Sequence, residues 1–152
     1  MMRLLGILIL IVSLAACEKE TNDTIQTFTF GTYYGHCFGT CFQSFSFKEG
    51  VFAWEQRTSI EGELEDVCQG GQSNANWEAL SSSFNLGTFM ALEEVMGCPD
   101  CADDGASFIE IAIGDNLTRV TFEAGNPPAG LETFHQKISE LSDEIRNLSE
   151  CQ

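Results

Sequence analysis

Phe45-Ser46-Phe47-Lys48-Glu49-Gly50-Val51-Phe52-Ala53-Trp54 is the stretch from which the architecture follows. Its aromatic residues stand at 45, 47, 52 and 54, and the positions between them are small or polar. Successive side chains of a strand point to opposite faces, so this alternation places every ring on one side. Lys48-Glu49-Gly50 supplies a turn between the halves, and the segment predicts a β-hairpin with an aromatic inner face. Upstream, Phe28 and Phe30 alternate with Thr27 and Thr29 in a run that begins at Ile25, which predicts a half-buried strand. Downstream, Ile109, Ile111 and Ile113 fall in phase within Phe108 to Ile113. A Gly114-Asp115-Asn116 turn and Leu117 to Glu123 then complete a second hairpin.

Two segments read as helical. Leu131, Phe134, Ile138, Leu141, Ile145 and Leu148 recur at spacings of three and four, the strongest periodic signal in the chain. The stripe is too short for a coiled coil and predicts one helix laid across a sheet, opened by Pro127-Pro128. Trp77 to Met96 carries apolar residues at Trp77, Leu80, Phe84, Phe89, Leu92 and Met96. It predicts one helix, or two short ones broken near Asn85-Leu86-Gly87. Ile60 to Asn76 is acidic, then rich in Gly, Gln, Ser and Asn, without a period, and reads as a long loop holding Cys68. The order strands, helix, strands, helix predicts an α+β open-faced sandwich. Its antiparallel sheet has four or five strands, two helices cover one face, and the other face is solvated.

Charge and composition exclude whole classes. The chain has 152 residues, with 7 Lys+Arg against 23 Asp+Glu and a net charge of -16. A surface that acidic repels nucleic-acid phosphates and anionic lipid, so no nucleic-acid partner is expected. With 43% apolar residues and 12 Phe the chain can build a core, and its length suits one domain, placed at residues 25–152.

Ahead of that domain, Met1 to Ala16 joins Arg3 to an apolar run from Leu4 to Val12 and a stretch of small residues. This is the pattern of a secretory signal, and the run is too short to span a bilayer. Its end, Leu14-Ala15-Ala16-Cys17, resembles a bacterial lipoprotein cleavage box. The resemblance implies cleavage after residue 16, lipid on the Cys17 thiol and acylation of the new amine. The protein would then sit in the bacterial cell envelope, lipid-anchored to a membrane, with the outer membrane the expected one. Two or more acyl chains hold a protein to a bilayer, because each buried methylene contributes about 0.8 kcal/mol. Residues 17–24 are polar and read as a lipidated tether; their Cys-Glu-Lys-Glu start resembles the export signals of surface lipoproteins in the Bacteroidetes. Taking 16 residues, Arg3 among them, from 152 leaves 136 with 6 Lys+Arg against 23 Asp+Glu, or -17.

Removing Cys17 from the odd count of seven leaves Cys37, Cys41, Cys68, Cys98, Cys101 and Cys151, an even set suited to disulfides outside the cytosol. Neighbours in turn-rich loops meet most readily, which favours Cys37 with Cys41 and Cys98 with Cys101, and leaves Cys68 for Cys151. Two sharper chemistries compete. Cys98-Pro99-Asp100-Cys101 has the spacing of thiol oxidoreductases, but it follows a helix and runs into Asp103-Asp104, and negative charge raises a thiol pKa. Cys37 and Cys41 with Cys98 and Cys101 could instead supply four thiolates to zinc, with His36 beside them. Asp100, Asp103, Asp104 and Gly105 do not fit the calcium-loop template, whose third and twelfth positions fall on Ala102 and Ile111. No nucleophile signature accompanies His36 or His135. The reading therefore assigns no catalytic residue, metal or cofactor.

Cys37-Phe38-Gly39-Thr40-Cys41 before an aromatic hairpin resembles a family of uncharacterised bacterial lipoprotein domains with a C-x-G-x-C segment. The later half has a helix, Ala106 to Ile113, Leu117 to Glu123, then Pro127-Pro128 before Leu131 to Leu148. It resembles emfourin, a small inhibitor of thermolysin-type metallopeptidases. That likeness implies an open-faced sandwich and, as an alternative function, inhibition of a metallopeptidase. The leading expectation is a membrane-anchored binding or interaction domain whose partner is a protein of the envelope or a peptidase.

Overall fold

Both hairpins form, and a single strand between them joins them into one sheet. A computed structural model describes residues 24–148 and Cys151. The segment read as a signal peptide, the expected acylation site Cys17 and most of the expected 17–24 tether lie outside the described residues. In chain order the strands are β1 (Ile25–Tyr33), β2 (Phe42–Lys48), β3 (Val51–Arg57), β4 (Leu64–Gly71), β5 (Val95–Met96), β6 (Ala106–Ile113) and β7 (Asn116–Glu123). The helices are α1 (Asn74–Ser83), α2 (Leu86–Met90) and α3 (Glu132–Arg146). The sheet runs β4-β3-β2-β1-β6-β7-β5, all neighbours antiparallel except β5 with β7.

The fold is α+β, but the sheet is larger than the expected four or five antiparallel strands. It has seven, mixed in direction, and the described residues hold three helices where two were predicted. One added strand, β4, comes from the stretch read as a loop. It pairs with β3 from Val51↔Gly71 to Arg57↔Leu64, yet it lies at the sheet edge and buries only Cys68. Without a buried face it carries no alternation to read; its strand conformation comes from the backbone pairing that β3 offers. The other, β5, is two residues long and completes the opposite edge. The break near Asn85 does separate two helices. The Asn85 side chain caps α2 by accepting from the Thr88 N–H at 2.8 Å, and Ser73 caps α1 by accepting from Asn76. Pro127-Pro128 does not open α3: the helix begins at Glu132, and the prolines stand in the turn whose Pro128 carbonyl accepts from Leu131 N–H.

The register explains the core. Phe28 faces Phe47 and Ile111 across its two neighbours, and Phe30 faces Phe45 and Ile109. All of these project to the inner face, where the stripe Phe134, Ile138, Leu141 and Ile145 of α3 covers them with Leu80 of α1 and Phe89 of α2. Phe28, Phe84 and Phe134 pack ring to ring at centroid distances of 4.8–5.1 Å. Arg146 secures the end of α3, its guanidinium 4.9 Å from the centroid of the Phe45 ring and its Nε donating to Gln43.

Candidate functional site

The outer face was expected to be solvated, and most of it is. One exception is aromatic: Phe42 of β2 and Phe108 of β6 project outward, stack at 5.8 Å with planes 16° apart, and are buried. They meet because β1 between them carries Gly31, where a Cβ would collide with the Phe108 ring. The Arg119 guanidinium lies 4.2 Å over that ring and is held by Glu110 at 2.9 Å. Thr29, Ser44, Arg57 and Glu55 continue this face around a shallow depression of about 330 Å³. Lys48, Arg57 and Arg119 all project to this side, Arg57 paired with Glu55 and Arg119 with Glu110.

At one end of the sheet three connections cluster: residues 34–41, 58–63 and 97–105. The first and third each contain a closely spaced cysteine pair. Cys37 and Cys41 have Cα atoms 5.7 Å apart, and Cys98 and Cys101 5.4 Å. Cys68 on the edge strand stands 5.3 Å from Cys151 beyond α3. All three separations are compatible with disulfide bonds, in the pairing favoured by spacing. The four cysteines considered for zinc are thus arranged two by two, each pair turned on itself. Among the described residues, no three His, Cys, Asp or Glu side chains converge to hold a metal ion.

The two local loops touch. Asp100, within the Cys98–Cys101 segment, accepts the Gly35 N–H at 2.7 Å and the Gly105 N–H at 3.2 Å, while its own N–H donates to the Gly105 carbonyl at 3.1 Å. To do so it adopts φ 59°, which Asp tolerates better than most residues. His36 Nδ1 lies 3.3 Å from Asp103, also at positive φ. The Tyr34 ring rests against Gly105, whose φ of +78° and missing Cβ leave it the space. Burial pushes the Tyr33 hydroxyl pKa up, the Asp100 charge adds to the rise, and Arg119 opposes it.

Phe38 projects from this pole. The chain has twelve Phe. Ten are buried and Phe84 packs against the core, whereas Phe38 is 104% exposed. Covering a Phe contributes roughly 1.5–3 kcal/mol, and the fold leaves that stabilisation unused at this one ring. Nothing in the sequence separates Phe38 from the core phenylalanines except its place between two cysteines. The Asp100 clamp was likewise not legible, since it joins groups 65 residues apart, and the Arg119 cover over Phe108 depends on the exact register of the hairpin that carries both.

His135 of α3 is half-buried, with the Phe30 ring 5.3 Å and the Phe122 ring 5.8 Å away, both edge-on; burial lowers its pKa. Among the described residues no helix is long and apolar enough to cross a membrane. No protein-family model matches the chain, and no curated protein is significantly similar to it.

Proposed function

We propose that the chain is a lipid-anchored binding domain of the bacterial cell envelope, braced by three disulfides and without catalysis of its own. The observation that carries this reading is where the cysteine pairs fall. In the chain-entropy view a bridge across 83 residues stabilises by about 4–5 kcal/mol, and one across three or four residues by only about 2. Two of the three pairs therefore do less for global stability than the third. They stiffen exposed loops at one pole, and a rigid exposed loop lowers the ordering cost of binding a partner. An ordinary hydrophobic core already holds the domain beneath them.

Metabolic labelling with a fatty acid, run on the wild type and on Cys17→Ser, tests the anchor: the label and membrane fractionation should both be lost in the variant. Non-reducing peptide mapping tests the bridges, and free thiols with bound zinc would overturn them. Turnover of substrate by the purified protein would overturn the non-catalytic reading.

A second reading is inhibition of a thermolysin-type metallopeptidase, supported by the succession of α2, the hairpin β6–β7 and α3, with the two-residue β5 between α2 and β6, and by the rigid exposed loop. Titration against such an enzyme decides it, and absence of inhibition at micromolar concentration removes it. The exposed Cys98–Cys101 pair supports a thiol-redox alternative, which predicts insulin reduction that Cys98→Ser abolishes.

A further inference from the structure

We infer that Phe38 is the anchor of a protein–protein contact, seated in an apolar pocket with a basic rim on a partner that meets the domain at its cystine-loop pole. The inference rests on the reading of the chain as a binding domain and says where, and with what kind of surface, that domain binds.

Three observations converge on it. The first is preorganisation. The ring sits on a five-residue segment closed by the Cys37–Cys41 pair. The base of that segment is tied on three sides: Tyr34 N–H donates to the Cys41 carbonyl at 2.9 Å, Cys41 N–H to the Arg57 carbonyl at 3.1 Å, and the Thr40 hydroxyl to Glu65 at 2.6 Å. An aromatic side chain with two rotatable bonds, held on a fixed loop, loses little freedom on docking, and rigid aromatic anchors dominate many interfaces.

The second is charge. The side chains that brace the loop are Glu65, Asp100 and Asp103, on a chain of net charge -16. A partner pocket rimmed by Lys or Arg complements them. A second copy of the same pole, or an anionic bilayer, meets like charge.

The third is position. The described chain starts at Thr24, beside the Gly114-Asp115 turn, because Ile25 pairs with Ile113. β1 then runs its nine residues to Tyr33 at about 3.3 Å per residue, so Phe38 lies roughly 25–30 Å from where the chain enters the domain. A lipid anchor ahead of Thr24 would join the domain at the opposite pole. The domain's own membrane is therefore a poor occupant for this ring, and a protein reaching the distal pole is a good one.

The test uses the full-length, lipid-bearing protein in the native envelope, with the photoreactive residue p-benzoylphenylalanine placed at Phe38, at Ser46 on the outer sheet face, or at Asp115 on the opposite pole. The expected result is an adduct with one protein from position 38 and none from position 115. That protein, purified, should bind the intact chain with an affinity lowered at least tenfold by Phe38→Ala, largely kept by Phe38→Trp, and weakened by added salt. Because Phe38 touches nothing in the fold, the Ala variant keeps the wild-type melting temperature, and a loss of affinity is not a loss of folding. An adduct only with lipid or with a second copy overturns the inference, as does silence at position 38 or an unchanged affinity in Phe38→Ala. Silence at 38 with a protein adduct at 46 removes this inference and leaves a binding domain standing; silence at all three positions counts against both.

Discussion

The carboxylate of Asp100 accepts the backbone N–H of Gly35 at 2.7 Å across 65 residues of sequence, and so locks one cystine loop to the other. The same carboxylate accepts from Gly105, where β6 is about to begin, so one side chain sets both the loop contact and the start of a central strand. Without it the Gly35 and Gly105 N–H groups lose their acceptor, and a residue less tolerant of φ 59° is left in a conformation that costs energy.

Asp100→Ala is therefore expected to destabilise the domain by about 1–2 kcal/mol, and Asp100→Asn by less, since Asn keeps an acceptor oxygen and tolerates positive φ. Urea denaturation measures both. Amide exchange should accelerate at Gly35 and Gly105 in the Ala variant; unchanged exchange there means that the clamp is not formed in solution.

The cysteine pairs are expected to separate by loop length. Replacing Cys68 and Cys151 together by Ser should cost about 4 kcal/mol, because their bridge restrains most of the chain in the unfolded state. Replacing Cys98 and Cys101 should cost about 2 kcal/mol or less and act mainly on exchange rates within residues 97–105. Equal losses in the two variants, read from urea midpoints under non-reducing conditions, would contradict this ordering.

The parts legible in the sequence are those with a face to bury. Phe45, Phe47, Phe52 and Trp54 alternate because helices cover one side of their hairpin, and the stripe of α3 repeats because it does the covering. β4 is not legible for the opposite reason: Glu65, Asp66, Val67 and Gln69 all face solvent, so its residues carry no record of the pairing with β3. The pairs within residues 37–41 and 98–101 were readable because near neighbours meet in loops whatever the fold. Phe42 and Phe108 were not, because an aromatic on an otherwise polar face looks in sequence like any other strand residue until Gly31 is placed between them.

Gly31 provides a direct check of that outer-face cluster. A Cβ there strikes the Phe108 ring and comes close to the Gln43 carbonyl, so Gly31→Ala should destabilise by roughly 1–3 kcal/mol. Phe108→Leu alone removes the stack with Phe42 and the seat of Arg119, and should also destabilise. The two changes together should cost less than the sum of the single effects, since the smaller side chain gives the new methyl room. A double-mutant cycle by thermal or urea unfolding measures the coupling, and strict additivity would mean that ring and glycine are not in contact.

His135 makes a prediction about pH. Its ring is half-buried between Phe30 and Phe122, and burial lowers its pKa from the ordinary 6.5 because the charged form is poorly solvated there. The folded state therefore binds this proton less readily than the unfolded chain does. Between the lowered folded value and 6.5 the unfolded state carries more protons, so stability rises with pH across that window. The contribution is complete above the unfolded pKa, declines as pH falls through it, and stops changing below the folded value. Replacing His135 by Phe, which keeps an aromatic ring between the other two, removes the titrating group, and the melting temperature should fall less between pH 7.5 and about 5.5 than in the wild type. Melting curves at closely spaced pH values across that range, at constant ionic strength, test it. Parallel profiles for wild type and variant would mean that the imidazole is solvated enough to accept its proton in place.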